Sequence, residues 1–595
     1  MGTPEEENGE STEATSASNS NNANANADAE SQTTAPPKKF NRSKRFWAII
    51  ATLSIISILS ALENTVVTTA LPHIVTQLDD LGPRYIWVTN VFFLTGAAVQ
   101  PLLGQLANIF GRRRVTMAIV ALFTVGSAIA GAARNGATLI AGRAVQGMGG
   151  GGINIIVDII VSDLVPLRER GNYIAVILLT YTVGTALGPW VGGAIVTGTS
   201  WRWVFWINVP VGGAAMGMIF LFLQVRYNKT TTLRQKLRRI DYIGNVILVG
   251  STVSVLYALT YAGTQLPWSS PRVLAPLIIG LAGLVFFGYF ETTPLAGAEP
   301  VIPPRLFRSP GTTTVTAIFA ATFLNSALLY WFLFFLPVYF QAVKGDSPSR
   351  AGVNLLPAIL VAIPGAVVAV LLLSKFGRYK PLHLAGFAIA TVGAGLFTLL
   401  DEGSSKAEYV VYQSVAAVGS GMVLNTLLPA AQAQVAEADQ AATTAAWSFV
   451  RSFGSIWGVA IPAAVFNNRF KQLAGGMITD PSVRGMFSGA GNTAYERASA
   501  EFVWGLEEPS RGQVRAVYAG ALKLVWQVSI AFAGAAWVLV WLEKETVLRT
   551  ELETEYGLEE KTREETTEEE GKGEKQGDKE KEKVKEDLVV SNLVS

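Results

Sequence analysis

Long apolar runs, repeated along most of the chain, limit its fold more than any other feature of the sequence. A helix needs about 20 apolar residues to cross the hydrocarbon of a bilayer, and roughly fourteen runs of this kind lie between two polar ends. The sequence therefore predicts an all-α integral membrane protein. The predicted spans are 46–71, 86–107, 115–133, 138–163, 172–197, 204–225, 242–262, 272–292, 312–340, 352–373, 381–400, 408–432, 443–466 and 517–542.

The composition agrees with a membrane chain and argues against several other classes. Of the 595 residues, 50% are hydrophobic and only 15% are charged, and much of this charge lies in the two ends. Cysteine is absent and the only histidines are His73 and His383, so we expect no metal site and no thiol chemistry. The basic residues are scattered in short loops, which gives no reason to expect nucleic acid as a partner. No nucleophile–base or metal-ligand set is visible, so an enzyme is not expected. No Walker loop is present either, which argues against export driven by ATP.

The loop charges predict the orientation of the chain in the membrane. One set of loops carries clusters of Lys and Arg, such as Arg112–Arg114, whereas the opposite loops carry mostly single charges. Because cytoplasmic loops are enriched in Lys and Arg, both termini are expected in the cytoplasm. Residues 1–45 are predicted to be a disordered cytoplasmic tail. Residues 544–595 are predicted to be a charged cytoplasmic tail, which from about residue 551 is disordered or a fraying helix.

Two short basic loops indicate an internal repeat. "GRRR" at 111–114 follows the second span, and "GRYK" at 377–380 follows the tenth. If these loops are equivalent, residues 46–225 and 311–543 are two six-helix bundles, and 226–310 is a linker with two additional transmembrane helices. Two halves around a site at the midplane are typical of secondary transporters. The alternative is that the two basic loops arose by chance.

The fourth span, within "GRAVQGMGGGGINIIVDIIVSDL" (142–164), combines ionisable residues with a block of glycines. Helical geometry places five of these residues within about 80° of arc. Since lipid does not tolerate such a stripe, we predict that it faces a water-filled cavity and that Asp158 takes part in proton coupling. The alternative is a buried structural ion pair with packing glycines. The stripe consists of Arg143, Gly147, Gly150, Asn154 and Asp158.

The first span contains another carboxylate, Glu63. At about 1.5 Å per residue, Glu63 lies some 12–14 Å from the outer end of its span, and Arg143 lies about 8 Å from the outer end of its own. Both residues fall in the outer half of the bilayer, so their side chains can meet. A carboxylate that alternates between a desolvated site and a site beside an Arg can load and release a proton. The alternative is a Glu that is hydrogen-bonded to its neighbours for structural reasons.

The fifth span repeats glycine every four residues, at Gly184, Gly188 and Gly192, so that a neighbouring helix can approach closely. Pro189 removes a backbone donor and is expected to bend this helix. A tightly packed helix that can bend is what a transporter needs when its halves rock, although small-residue packing is common in membrane proteins.

Several motifs, taken together, resemble the major facilitator superfamily and, within it, the fourteen-span drug:proton antiporters. The resemblance extends over about residues 46–543 and implies a fold of two six-helix bundles plus two additional helices. It rests on "LENTVVTTALP" (62–72), "GQLANIFGRRR" (104–114), "LIAGRAVQGMGGG" (139–151), "GTALGPWVGG" (184–193) and "WRWVFWINVP" (201–210).

The resemblance implies a carrier that couples export to proton movement, with the proton gradient as its energy source and no cofactor. By analogy with the family, Arg143 and Glu63 serve proton movement, and the Gly-Pro helix, Gly184 to Gly193, governs the conformational switch. Its similarity to fungal toxin and multidrug carriers implies export of a small amphipathic toxin, secondary metabolite or drug. We expect a monomer in the plasma membrane or, as the alternative, in the vacuolar membrane.

The loop motif departs from the family pattern at one position. Gly111 and Arg112 match, but Asn108 stands where the family usually has an acid that latches the inner gate. Asp163, at the inner end of the fourth span, can pair with Arg112, so we expect a weakened latch.

A site for an amphipathic substrate is expected to be apolar and aromatic. Two other functions stay open: uptake of a siderophore or nutrient by a related carrier, and a receptor or scaffold that does not transport. The candidate substrate residues are Asn154, Tyr181, the aromatic run at 330–335, Trp447 and Arg451.

Overall fold

The apolar runs fold as helices throughout the described part of the chain. The computed structural model describes residues 43–78, 81, 86–224, 232–262, 266–297, 299–307, 312–487 and 493–548. Within these residues the only β-structure is an isolated bridge between Ala262 and Leu266. The predicted all-α class is therefore confirmed.

Each predicted span falls on one long helix or on two consecutive helices. In chain order these are α1 (Lys44–Gln77), α2 (Ile86–Phe110), α3 (Arg112–Gly131), α4 (Gly136–Leu164), α5 (Leu167–Gly198), α6 (Asn208–Phe222), α7 (Tyr242–Tyr261), α8 (Pro271–Phe290), α9 (Thr312–Val338), α10 (Pro348–Leu360 and Ala362–Phe376), α11 (Lys380–Leu396), α12 (Lys406–Leu424 and Leu427–Ala433), α13 (Gln440–Met477) and α14 (Ser510–Val540). Shorter helical segments are Trp203–Trp206, Leu233–Arg238, Pro294–Ala296, Pro304–Phe307, Tyr339–Val343, Phe397–Leu399, Glu437–Asp439, Pro481–Met486, Thr493–Glu496 and Ala500–Trp504.

The length and apolarity of these helices make the chain an integral, multi-pass membrane protein. Twelve helical segments of the described residues are long and apolar enough to cross a membrane. Helices α2 and α5 are not among the twelve, but with 25 and 32 residues they are long enough to span a bilayer. The number of about fourteen spans therefore stays a prediction. Helix α8 ends at Phe290, two residues before the predicted end of its span.

Two loops that each begin with a glycine of positive φ mark one end of the bundle. Gly111 precedes α3 with a φ of 85°, and Gly377 follows α10 with a φ of 69°, a region of backbone space that favours glycine. These glycines begin the two basic loops that indicated a repeat. The end of α4 contacts the first loop through Asp163 and Arg112, and the start of α5 contacts the end of α10 through Arg168 and the Ser374 carbonyl. We call this end of the bundle the basic end.

The block of glycines in α4 lets three helices approach closely. A Cβ atom at Gly151 would lie 2.2 Å from the Gly96 carbonyl oxygen of α2. On another face of α4, a Cβ atom at Gly149 would lie 2.4 Å from the Phe123 backbone nitrogen of α3. Because backbone cannot move aside as a flexible side chain does, only glycine fits. Close packing of this kind offsets the propensity cost of about 1 kcal/mol for each interior glycine.

The glycines of α5 pack against α1. A Cβ atom at Gly184 would lie 2.8 Å from a backbone carbonyl of α1, and a Cβ atom at Gly188 would lie 1.9 Å from Thr65 Oγ1. Gly192 is also buried, and α5 continues as one helix through position 189. The close approach that this spacing predicts is therefore present, with α1 as the neighbour, while the Pro189 side chain lies outside the described part.

The chain after α14 turns back over the basic end. His383 Nδ1 of α11 is 2.8 Å from Glu543 Oε2, and both side chains are fully buried. Further on, the Leu548 amide donates to the Gly377 carbonyl at 3.0 Å. The first residues of the predicted C-terminal tail are thus held against the bundle. The rest of that tail, and almost all of the N-terminal tail, lies outside the described residues.

Candidate functional site

A buried ion pair joins α1 to α4. Arg143 Nη1 lies 2.5 Å from Glu63 Oε1, and the exposed fractions of the two residues are 1% and 0%. Helical depth suggested that these side chains can meet, and the structure brings them together. Because an unpaired charge is costly in such surroundings, each residue depends on the other for its ionised form.

Neutral groups complete the shell around Arg143. Its Nε donates to the Val88 carbonyl at 2.8 Å, and its Nη1 also donates to Gln146 Oε1 at 2.7 Å. The Gln146 amide nitrogen in turn donates to Ser127 Oγ at 2.7 Å. The guanidinium carbon lies 4.4 Å from the centre of the Phe92 ring, a cation–π contact. The charge of Arg143 is therefore stabilised by polar and aromatic groups of α2 and α4 as well as by Glu63.

The second oxygen of the Glu63 carboxylate has its own partner. Asn208 Nδ2, at the start of α6, donates to Glu63 Oε2 at 2.6 Å. Asn208 is fully buried, like the carboxylate that it contacts. The ion pair and its amide partner therefore connect three helices, α1, α4 and α6.

A second polar group joins the two predicted halves. Arg451 of α13 interacts electrostatically with Asp158 of α4, Tyr181 of α5 and Tyr330 of α9. Asn64 of α1 donates from its amide to the Tyr181 hydroxyl at 2.7 Å. We call these five residues the central cluster. Its members come from both halves, so a ligand bound among them would contact both.

The loop motif forms an ionic contact at the basic end. Arg112 Nε lies 2.7 Å from Asp163 Oδ2, and Arg112 Nη1 donates to Asn108 Oδ1 at 2.9 Å and to the Ala107 carbonyl at 2.8 Å. The acid that the loop motif lacks is thus supplied by the end of α4. Asn108 contributes an acceptor to the same guanidinium but no charge.

Hydrogen bonds across the basic end join the first predicted half to the second. Arg170 Nη1 donates to Gln432 Oε1 at 2.8 Å, and the Gln432 amide nitrogen donates to Ser162 Oγ at 2.8 Å. Beside them, Arg168 donates to the carbonyls of Ser374, at 2.5 Å, and Lys375. We call these contacts the basic-end clasp. They hold the halves together at this end of the molecule.

Comparison with known proteins decides the family. The sequence profile described as Major Facilitator Superfamily matches residues 53–459, more than half of the chain. The chain belongs to the Major Facilitator Superfamily. As a member of this family of transporters, it is expected to act on a small molecule, and both the predicted family and its fold are confirmed.

Relatives within the superfamily cover nearly the same length. The MFS-type transporter TwmF of Talaromyces wortmannii is 51% identical over 520 residues, which are 87% of this chain and 93% of that protein. The MFS-type efflux transporter ffsH of Aspergillus flavipes is 43% identical over 526 residues, 88% of each chain. A crystal structure of a double-Trp XylE mutant is similar with a TM-score of 0.51 at 13% identity, over 85% of this chain and 98% of that one. This last similarity concerns the superfamily fold alone.

The predicted stripe of α4 is wrong in one respect, because it does not face one water-filled cavity along its length. Arg143 is buried in its ion pair. A Cβ atom at Gly147 would lie 2.4 Å from the Phe92 carbonyl oxygen, and one at Gly150 would lie 2.6 Å from the ring of the same residue. A bare glycine surface is a packing face as well as a cavity wall, and here α2 covers it. The last part of the stripe, at Asp158, faces the second half.

The candidate substrate residues differ in accessibility. Tyr181 and Arg451 belong to the central cluster, and Asn154, one turn before Asp158, is half-buried. Trp447 is only 3% exposed, and its indole donates to Thr322 Oγ1 at 2.9 Å. Its ring supports the Arg451 guanidinium, whose central carbon lies 4.8 Å from the ring centre. Trp447 is thus buried beside Arg451 in this conformation, and its role as a substrate residue stays a prediction.

The residues of the aromatic run in the ninth span lie in the core, on the surface and in the central cluster. Trp331 and Phe335 are fully buried in the core, and Phe334 is exposed on the surface. Tyr330 belongs to the central cluster through its interaction with Arg451. One residue of the predicted run therefore remains a candidate for substrate contact.

Sequence reasoning missed the neutral partners of the ion pair. Gln146 lies one helical turn after Arg143 in the quoted stretch, so its position on the same face was a usable signal. Asn208 lies in "INVP", where a single amide within an apolar run would cost free energy if it were buried without a partner. This cost indicates that Asn208 has a hydrogen-bond partner, but the sequence does not show which residue that partner is.

Sequence reasoning also missed a pair of acids beside the two additional helices. Asp241 caps α7, accepting from the Gly244 amide at 2.7 Å, and Glu291 follows α8 and accepts from the Val301 amide at 3.3 Å. Both acids are 5% exposed. Burial, with the charge of Asp241 as a second cause, raises the pKa of Glu291 to about 8, and burial also raises the pKa of Asp241.

This pair predicts a pH dependence of stability. A folded-state pKa above the ordinary value of 4.5 means that the folded protein holds this proton more tightly than the unfolded chain. The contribution of this proton to the free energy of unfolding is therefore present at low pH, and it is lost as the pH rises towards about 8. We expect Glu291→Gln, which stays neutral, to lose less thermal stability than the unsubstituted protein between about pH 5 and pH 8.

The measurement is the unfolding temperature of both proteins across this pH range in the same detergent. Glu501→Gln, a substitution at an exposed position near the opposite end, serves as the matched control. If the unfolding temperatures of Glu291→Gln and of the unsubstituted protein change in parallel with pH, the assignment of this proton to Glu291 is contradicted.

Proposed function

We propose that this protein is a proton-coupled exporter of a small amphipathic compound, such as a toxin, a secondary metabolite or a drug. The observation that carries the proposal is the Glu63–Arg143 pair, an ionisable pair that is fully buried inside the helices of a transporter fold. Charged groups at this depth are costly, and they are usually retained for function. The name of the efflux transporter of Aspergillus flavipes supports the direction of transport.

A route from the ion pair to the basic-end clasp supports the coupling. When Glu63 takes up a proton, the attraction that holds α1 to α4 weakens. Helix α1 packs on the glycines of α5, and the first turn of α5 carries Arg168 and Arg170 of the clasp. Proton uptake thereby favours opening of the basic end, and proton release favours its closure. The coupling free energy comes from the different proton affinities of the two states.

The central cluster provides the substrate contacts in this proposal. Arg451 and Asp158 come from opposite halves, so a compound that binds between them contacts groups that separate when the carrier opens. Tyr181 and Tyr330 supply aromatic surface beside these charges, as an amphipathic compound requires. Protonation of Asp158 weakens its interaction with Arg451, which makes binding of the compound sensitive to the proton.

The proposal also includes the orientation of the chain, its membrane and its oligomeric state. We assign the basic end to the cytoplasm, with both termini there, because Lys and Arg favour that side. The state described here is held closed at this end by the basic-end clasp. The plasma membrane supplies the required proton gradient. The exporter works as a monomer, catalyses no reaction and uses no cofactor.

A cell accumulation assay tests the direction of transport. Cells that express the full chain and cells that lack it are exposed to a panel of fluorescent amphipathic dyes, with and without a protonophore. We expect lower retention of at least one dye in the expressing cells, and loss of this difference when the protonophore is added. Higher retention would mean uptake, and equal retention of every dye would favour a receptor or scaffold.

A further inference from the structure

The amide of Asn208 contacts the carboxylate that the proposed function makes the proton carrier. Its Nδ2 donates to Glu63 Oε2 at 2.6 Å, and both side chains are fully buried. The other end of the amide, Oδ1, has no hydrogen-bond partner within the described part of the chain. Buried polar atoms are nearly always paired, so this free acceptor beside Glu63 needs an explanation.

The two ends of the amide match the two protonation states of a carboxyl group. An ionised carboxylate only accepts hydrogen bonds, so it requires the NH2 end of Asn208. A protonated carboxyl carries an O–H group, which requires an acceptor such as Oδ1. The two ends are nearly equal in size, so a half-turn about the Cβ–Cγ bond exchanges them without changing the space that they fill.

The geometry points to Asn208 as a positioning residue that follows the protonation of Glu63 by rotation of its amide. This inference rests on the proposed function. In the ionised state Nδ2 holds Oε2, as the structure shows, and in the protonated state Oδ1 accepts the proton that Oε2 carries. Asn208 is the first residue of α6, so the exchange couples proton uptake on α1 to the start of another helix.

The groups around Glu63 and Asn208 make the effect of the Asn208 amide on Glu63 separable from that of other charges. Among the described residues, Arg143 is the charged group in contact with Glu63, and it bonds Oε1, not Oε2. The other groups around the pair are the neutral amide of Gln146 and the rings of Phe92 and Phe205, over which the guanidinium lies. A change at Asn208 therefore alters the Oε2 side alone.

Infrared titration of the full-length protein in lipid nanodiscs tests the inference. The C=O stretching band of protonated Glu63 is assigned by its absence in Glu63→Gln. In Asn208→Ala the ionised form loses a charge-assisted hydrogen bond, and the protonated form loses a weaker neutral one. The difference favours the protonated form, so we expect the midpoint of this band to move upward by roughly one pH unit, about a tenfold gain in proton affinity. Asn208→Asp keeps the side-chain volume and should move the midpoint further, because two adjacent carboxyl groups do not both ionise readily.

A matched control removes another amide–carboxylate hydrogen bond, which is partly buried. Asn354→Ala deletes the bond from Asn354 Nδ2 to Asp346 Oδ2, which is 2.7 Å long, and should leave the midpoint unchanged. The inference is overturned if Asn208→Ala and Asn208→Asp both keep the midpoint of the unsubstituted protein. If Glu63→Gln instead exports at the normal rate, the proposed coupling fails, and the inference fails with it.

Discussion

Glu63→Gln is expected to reduce proton-driven export to the level of protein-free vesicles. Gln is close to Glu in size and keeps an oxygen that accepts from Arg143, but it cannot take up or release a proton. Transport is measured in proteoliposomes, as movement of an amphipathic dye under an imposed pH gradient. Binding of the dye should persist, because the central cluster does not include Glu63.

Two further measurements show whether the loss of export comes from the missing proton site or from misfolding. Glu501→Gln makes the same chemical change at an exposed position and should transport the dye at the normal rate. Dye binding by Glu63→Gln, followed by fluorescence anisotropy, shows that the protein is folded. Gradient-driven export by Glu63→Gln at the rate of the unsubstituted protein would remove Glu63 as the proton carrier.

The double substitution Glu63→Gln with Arg143→Met is expected to restore stability without restoring transport. Breaking a buried pair from one side costs about 3–5 kcal/mol, because one charge is left without its partner. In Glu63→Gln this charge is Arg143, which keeps only the neutral contacts described above. Replacing both partners removes the unpaired charge, so we expect the free energy of unfolding to return to within about 1–2 kcal/mol of the starting protein.

A double-mutant cycle of unfolding in one detergent measures this coupling. Transport is recorded for the same four proteins, and we expect it to be absent from all three variants. Arg143→Met alone loses transport because Glu63 no longer has the partner that favours release of its proton. If the two single losses of stability simply add in the double variant, the pair does not act as an ion pair.

The sequence predicted those features that follow from helical geometry within a span or from the resemblance to a known family. Apolar runs identified the helices because the length of a span is set by the bilayer and not by tertiary contacts. Depth along two helices showed that Glu63 and Arg143 can meet, and the loop motif with its missing acid suggested the contact between Arg112 and Asp163. The first two predictions needed only helical geometry, whereas the contact between Arg112 and Asp163 was implied by the resemblance to the family's loop motif.

Other features depend on which helices become neighbours, and a single sequence does not contain this information. The stripe of α4 was interpreted as a cavity wall, but α2 covers Gly147 and Gly150. The partner of Asn208 lies 145 positions away in the chain, on α1. The contact between His383 and Glu543 was also not predictable from the sequence, because Glu543 lies at the start of a charged stretch that resembles a solvated tail.

Spin-label distances at both ends of the bundle test the central claim, that protonation of Glu63 drives alternate opening. The chain contains no cysteine, so two label pairs can be introduced without background: Arg114→Cys with Phe376→Cys at the basic end, and Thr199→Cys with Gly403→Cys at the opposite end. We expect acidification to lengthen the first distance and shorten the second, and Glu63→Gln to show the acid distances at every pH. Distances that ignore pH, or that change in the same direction at both ends, would contradict the account.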